Sequence, residues 1–265
     1  MIPGKNRSAL EGRPTKAPRT LMNPHMKSRV SRADGAAVLF AMVFPTLLTW
    51  VYFVLLPRWA PGLAQPAYTV GKAIQFLFPL AWVLAVRRQR LAPPPRTTAG
   101  VAEGFAFGTV IFAAAVGLYW VWLRPAGVIQ GAAAEIETKL HGFGVHGAAA
   151  YVALGAFYSI VHSFLEEYFW RWFVFGQLRT IIPWGMAVAV SSAAFMAHHV
   201  ILLGTYFGWN SPATYVFSLA VAVGGAYWAW LYQRSRSLYG PWVSHLLIDA
   251  VIFAVGYDLV RTMFA

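Results

Sequence analysis

The sequence predicts an all-α protein, a polytopic transmembrane helix bundle of about seven spans, with six to eight compatible with the pattern. Three observations predict it. Of the 265 residues, 58% are hydrophobic and 11% charged, against about 25% charged in soluble globular chains. The apolar residues form continuous runs, whereas a membrane barrel shows short alternating strands. Basic residues also gather in alternate loops, as the positive-inside rule requires of a helical bundle with its N-terminus in the cytoplasm.

Residues 1–35 come first. They hold Lys5, Arg7, Arg13, Lys16, Arg19, Lys27, Arg29 and Arg32 against Glu11 and Asp34, half of the chain's net charge of +12. With many prolines and no apolar periodicity, this stretch reads as a basic, mostly disordered cytoplasmic tail. Its expected partner is an anionic lipid surface rather than nucleic acid. It is too long and polar for an ordinary cleaved signal peptide.

The spans follow. A bilayer core of about 30 Å needs roughly 20 apolar residues in a helix. Residues 36–56 fit without a charge. Residues 70–86 are weaker, because Lys72 has to snorkel and Pro79 should kink the helix. Residues 105–123 are clean. Residues 148–165 continue through two glutamates and an arginine as far as 175. Residues 184–203 contain a His pair, 214–232 are clean, and 242–260 contain His245, Asp249 and Asp258.

Loops 57–69 and 204–213 are nearly free of charge, whereas Arg87, Arg88, Arg90 and Arg96, then Arg179, then Arg234 and Arg236 mark the opposite side. Trp50, Trp59, Trp120, Trp122, Trp184, Trp209 and Trp242 sit near span ends, where an aromatic belt is expected. Residues 131–141 suit a short interfacial helix, and 91–98, with Pro93–Pro95, a stiff linker. The chain therefore divides into the tail 1–35, N-terminal helices and loops 36–147, and a polar-motif core 148–265. With no cysteine, disulfides and thiol or Cys-ligated chemistry are excluded.

Ionisable groups at bilayer depth are costly and default to a functional reading. Glu166, Glu167, Arg171, His198, His199, His245 and Asp249 lie on three different spans. Glu167 and Arg171 are spaced i,i+4 with the acid first, so they can pair directly. Glu166 projects about 100° away, which leaves it free for proton chemistry. Ser191, Phe195 and His199 share one helix face, and His198 turns to another. His245 and Asp249 are again four apart, so the acid can orient the ring. His162, four before Glu166, can face it from outside this set.

The pattern E-E-x-x-x-R (Glu166, Glu167, Arg171), then F-x-x-x-H (Phe195, His199), then H-x-x-x-D (His245, Asp249) resembles the CPBP family over about 148–260. That family contains the CAAX-prenyl endopeptidases and bacterial relatives tied to bacteriocin processing or immunity. The resemblance implies a glutamic intramembrane endopeptidase in a bacterial plasma membrane, with no cofactor. Its substrate would be a membrane-associated protein or peptide, prenylated or of a bacterial sorting or bacteriocin type.

By the same resemblance Glu166 and His199 activate a water, Glu167 and Arg171 hold them in place, and His245 with residue 249 faces the oxyanion. Phe195 and His198 support the site. Many relatives carry Asn at the last position. Asp249 cannot donate as a carboxylate, so here it is expected to charge and orient His245, which becomes the donor; a protonated Asp249 is the alternative.

Two other readings stay open on the residues alone. Glu166, His199 and His245 could form a His₂Glu zinc set, although no H-E-x-x-H is present. Intramembrane Glu, His and Asp also build proton relays in non-catalytic proteins such as transporters, and an immunity factor or scaffold fits as well. A single site makes one geometric demand. Counted along straight helices at 1.5 Å per residue, His245 lies about 8 Å from the cytoplasmic end of its span, Glu166 about 20 Å and His199 about 24 Å. Kinks, tilts or a re-entrant stretch near 176–185 would have to bring them level.

Overall fold

The computed structural model describes residues 31–90 and 97–265. Seven helices are long and apolar enough to cross a membrane: α1 (Arg32–Trp59), α2 (Pro61–Val86), α3 (Val101–Leu123), α5 (Ala148–Ile181), α6 (Trp184–Phe207), α7 (Pro212–Ser235) and α8 (Tyr239–Phe264). Between α3 and α5 lies the shorter α4 (Ala132–Gly142), the short helix expected from 131–141. Most of the basic tail and the triple-proline segment fall outside the described residues.

α1 starts at Arg32, inside the stretch assigned to the tail. Ser31 accepts from the Asp34 backbone N–H at 3.2 Å, and the Asp34 carboxylate accepts from the Ser31 N–H at 2.9 Å. This reciprocal cap satisfies donors that an apolar first turn would leave open. The expected loop 57–69 is helical apart from Ala60. Pro61 begins α2 because a first-turn proline sacrifices no intrahelical bond. Pro79 does not end that helix; the backbone loosens into a π-helical turn at Trp82–Val86.

The bundle is inside-out relative to a soluble protein. Val110, Val121, Leu77, Val152, Val216 and Leu219 are exposed, as side chains facing lipid would be. Trp50, Trp59, Trp120, Trp122, Trp184 and Trp209 are also exposed near helix ends. Trp242 differs: its indole N–H donates to the Ile160 carbonyl at 2.9 Å.

With lipid as solvent, helices associate by close packing of small residues. The α3–α8 contact is of this kind. A Cβ on Gly104 would strike the Gly240 carbonyl, and one on Gly108 would come within 3.0 Å of Ser244 Cα. Salt bridges tie the ends of the bundle. Arg87 binds Asp34 at 3.0 Å and Arg234 binds Glu103 at 3.2 Å on the arginine-rich face, and Arg124 binds Asp258 at 2.9 Å on the other.

The buried core gathers Phe169, Trp170, Phe173, Phe175, Phe195 and Trp228. These rings come from α5, α6 and α7, and they enclose the polar residues of α5 within a rigid aromatic wall.

Candidate active site

The site is built on α5, whose backbone is irregular where the acids sit. Ser163–Glu167 is α-helical, and it is flanked by π-helical turns at Phe157–His162 and Tyr168–Phe175. A π-turn has i→i+5 bonds and re-aims side chains relative to a uniform helix; such turns concentrate at functional sites. Glu166 and Glu167 are both buried, at 4% and 0% exposure.

Glu167 has a close neighbour on each oxygen, one a hydrogen bond and one an ion pair without hydrogen-bond geometry. Arg171 Nε lies 3.1 Å from its Oε2, and His245 Nδ1 lies 2.8 Å from its Oε1. Arg171 sits over the rings of Phe195 and Trp228, each 4.8 Å away. Trp228 stacks on His245 at 4.2 Å and 15°, and its indole N–H donates to Ser244 Oγ at 2.9 Å. The plane and azimuth of the His245 ring are therefore both fixed. A carboxylate is only an acceptor, so the Glu167 contact assigns the Nδ1 proton to His245.

Glu166 is held differently. His245 Nε2 lies 3.7 Å from Oε2, while His162 Nε2 and His198 Nε2 each lie 3.9 Å from Oε1. Three imidazoles thus surround one carboxylate just beyond hydrogen-bond reach. His198 lies parallel to Trp170, 5.8 Å between centroids at 7°. His199 is next to it, 4.2 Å ring to ring, with Nδ1 donating to the Phe195 carbonyl at 3.0 Å. Because a carbonyl only accepts, that contact leaves Nε2 of a neutral His199 as a free lone pair. His198 thus comes within 4 Å of Glu166, while His199 is the ring whose tautomer its neighbour fixes.

Two expectations change. Asp249 does not hold the Nδ1 edge of His245; Glu167 does, and Asp249 lies 3.7 Å from Nε2. The reason is that the Trp228 stack turns the ring across to α5 rather than along its own helix. No re-entrant stretch is used either. α5 remains helical through Ile181, and α6 begins at Trp184.

Other neighbours were hidden in the sequence. Trp228 lies on a span that reads as featureless, and only three-dimensional packing reveals its stack on His245. Lys72 does not simply snorkel: its ammonium lies over the Tyr68 and Phe76 rings, at 5.6 and 5.4 Å. A lysine in an apolar run was the available signal. Among the described residues, no three His or acidic side chains converge as a metal-ligand set.

The family model described as Rce1-like, type II CAAX prenyl endopeptidase, matches residues 147–251. The matched stretch contains every motif residue from Glu166 to Asp249 and supports the resemblance to the CPBP family. No curated protein and no solved structure matches the chain significantly.

Proposed function

We propose, from a chain that carries a type II CAAX-protease domain, that this protein is a glutamic intramembrane endopeptidase cutting a membrane-associated protein or peptide. The observation that carries the reading is the contrast at adjacent positions. Glu167 is paired with Arg171 at 3.1 Å and with His245 at 2.8 Å, while Glu166 faces imidazoles at 3.7–3.9 Å. Gaps of that length suit a bridging water, and a carboxylate with an unsaturated oxygen suits a general base.

In this mechanism a water is held between Glu166 and the His198–His199 pair, with His199 Nε2 accepting one of its hydrogens. Glu166 takes the other proton as the oxygen attacks the scissile carbonyl carbon. The carbonyl π electrons move to oxygen, and His245, protonated on both nitrogens, donates Nδ1–H to Glu167 and Nε2–H to the oxyanion. Collapse breaks the C–N bond, and Glu166 returns its proton to the leaving amine. Arg171 positions Glu167, Glu167 positions His245, and the aromatic wall excludes bulk water. Asp249 biases the charge on His245 without orienting its ring.

The test is comparative proteomics of membranes from cells expressing the wild type or Glu166→Gln at equal level. Expected are precursor proteins that accumulate uncleaved in the variant. Undiminished cleavage by both Glu166→Gln and His199→Ala overturns the reading. A chelator separates this chemistry from a metal-dependent hydrolysis at the same residues: cleavage that falls on chelation and returns with zinc favours the latter.

A further inference from the structure

We infer that Lys72, on α2, is a specificity-determining residue that binds a carboxylate of the substrate beside the scissile bond. This rests on the proteolytic reading above, and Lys72 lies outside the residues matched by the family model.

Four observations lead there. First, Lys72 stands in an apolar span, where an ammonium is expensive unless something satisfies it. Its side chain is half-buried. Second, its surroundings are unbalanced. Nζ contacts the faces of Tyr68 and Phe76, one turn before and one turn after it. Among the described residues it forms no ion pair and no hydrogen bond. Ring faces attract a cation but accept none of its three N–H bonds in the way a carboxylate does.

Third, it stands beside the chemistry. The Phe76 ring meets His162 edge to face at 5.8 Å, and His162 is 3.9 Å from Glu166. Fourth, phenols are close: the Tyr68 ring packs against Nζ at 5.6 Å, and the Tyr158 ring lies 4.9 Å from that of His162. An anion at Nζ would thus meet an ammonium and a phenol within one aromatic cup, one residue away from the attacking water.

A peptide offers two carboxylate sources, its own C-terminus and an Asp or Glu side chain. An anion held next to Glu166 would repel the base, unless the ammonium neutralised it. Lys72 therefore performs two tasks at once: it accepts a negatively charged substrate and keeps that charge from opposing Glu166.

The test uses the full chain in proteoliposomes with a pool of synthetic lipidated peptides, read by mass spectrometry. Peptides the wild type cuts are remade with an amidated C-terminus, or with internal Asp and Glu changed to amides. Expected for the wild type is a KM about tenfold higher once the relevant carboxylate is removed, with kcat little changed, the signature of lost substrate binding. Lys72→Met should raise KM by a similar factor on the acid peptide and show no further loss on the amide. Lys72→Arg should restore the discrimination.

Whichever amide substitution matters identifies the carboxylate's source. The inference is overturned if Lys72→Met leaves the acid peptide unaffected, or if it weakens acid and amide equally while Lys72→Arg rescues neither. If the wild type cuts no member of the pool in a Glu166-dependent way, the proteolytic reading itself falls; its loss is thereby told apart from a failure of the lysine alone.

Discussion

Glu166 and Glu167 are neighbours in sequence, equally buried, on one turn of one helix, and they occupy opposite environments. Glu167 has a close partner on each oxygen, Arg171 at 3.1 Å and His245 at 2.8 Å, with the rings of Phe195 and Trp228 beyond them. Around Glu166 the nearest groups are imidazoles at 3.7–3.9 Å. The lesson is that burial alone does not assign a role to a membrane carboxylate. Close pairing makes a structural hub, and looser surroundings of proton-carrying neighbours make a reactive centre. This contrast can be broken or sharpened by mutation.

The largest effect is expected at the unsaturated acid. Glu166→Gln keeps shape and removes the base, so cleavage should fall by about 10²–10⁴ with thermal stability in detergent close to wild type. A variant that instead unfolds at markedly lower temperature would put Glu166 in the same class as its neighbour and erase the contrast. Next comes the paired acid's partner. Arg171→Leu strands Glu167 without its cation, and breaking a buried pair this way costs about 3–5 kcal/mol. Thermal unfolding in detergent should show the loss. The double change Glu167→Leu with Arg171→Leu should recover much of it and leave cleavage low, because His245 has lost its anchor.

His199 and His198 provide a finer cut within the reactive layer. His199→Ala removes the ring whose Nε2 lone pair is fixed by its contact to the Phe195 carbonyl, and a drop of about 10²-fold in kcat is expected. His198 lies parallel to Trp170 and is 3.9 Å from Glu166. His198→Gln should cost less in rate. If the two losses come out reversed, the water is held by His198 and the assignment within the pair changes.

Much of this was legible before any coordinates. Continuous apolar runs gave all seven spans, because a lipid-exposed backbone leaves few alternatives to a helix. The polar exceptions pointed to α5, α6 and α8 for the same energetic reason. What was not legible has a common cause: it depends on contacts between helices. The stack of Trp228 on His245 and the choice of Glu167 over Asp249 as the partner of His245 leave no periodic trace. Helix ends were misjudged where polar or proline residues continue a helix beyond its apolar run, as Pro61 does at the start of α2.

Asp249 is where the smallest effect is expected, and that smallness is informative. If it oriented His245 through Nδ1, its loss would free the ring and approach the loss of His245 itself. Instead Nδ1 belongs to Glu167 at 2.8 Å, the ring plane belongs to Trp228, and Asp249 touches only the Nε2 side at 3.7 Å. Asp249→Asn keeps the side chain's size and exchanges a charge for an amide that can itself donate to an oxyanion. The charge lost from beside His245 and the donor gained there act in opposite directions. Cleavage should therefore change less than about tenfold, against the larger loss for Glu166→Gln. A loss for Asp249→Asn as deep as that for Glu166→Gln would mean that the negative charge at 249 is indispensable, and that the hub at Glu167 does not hold His245 alone.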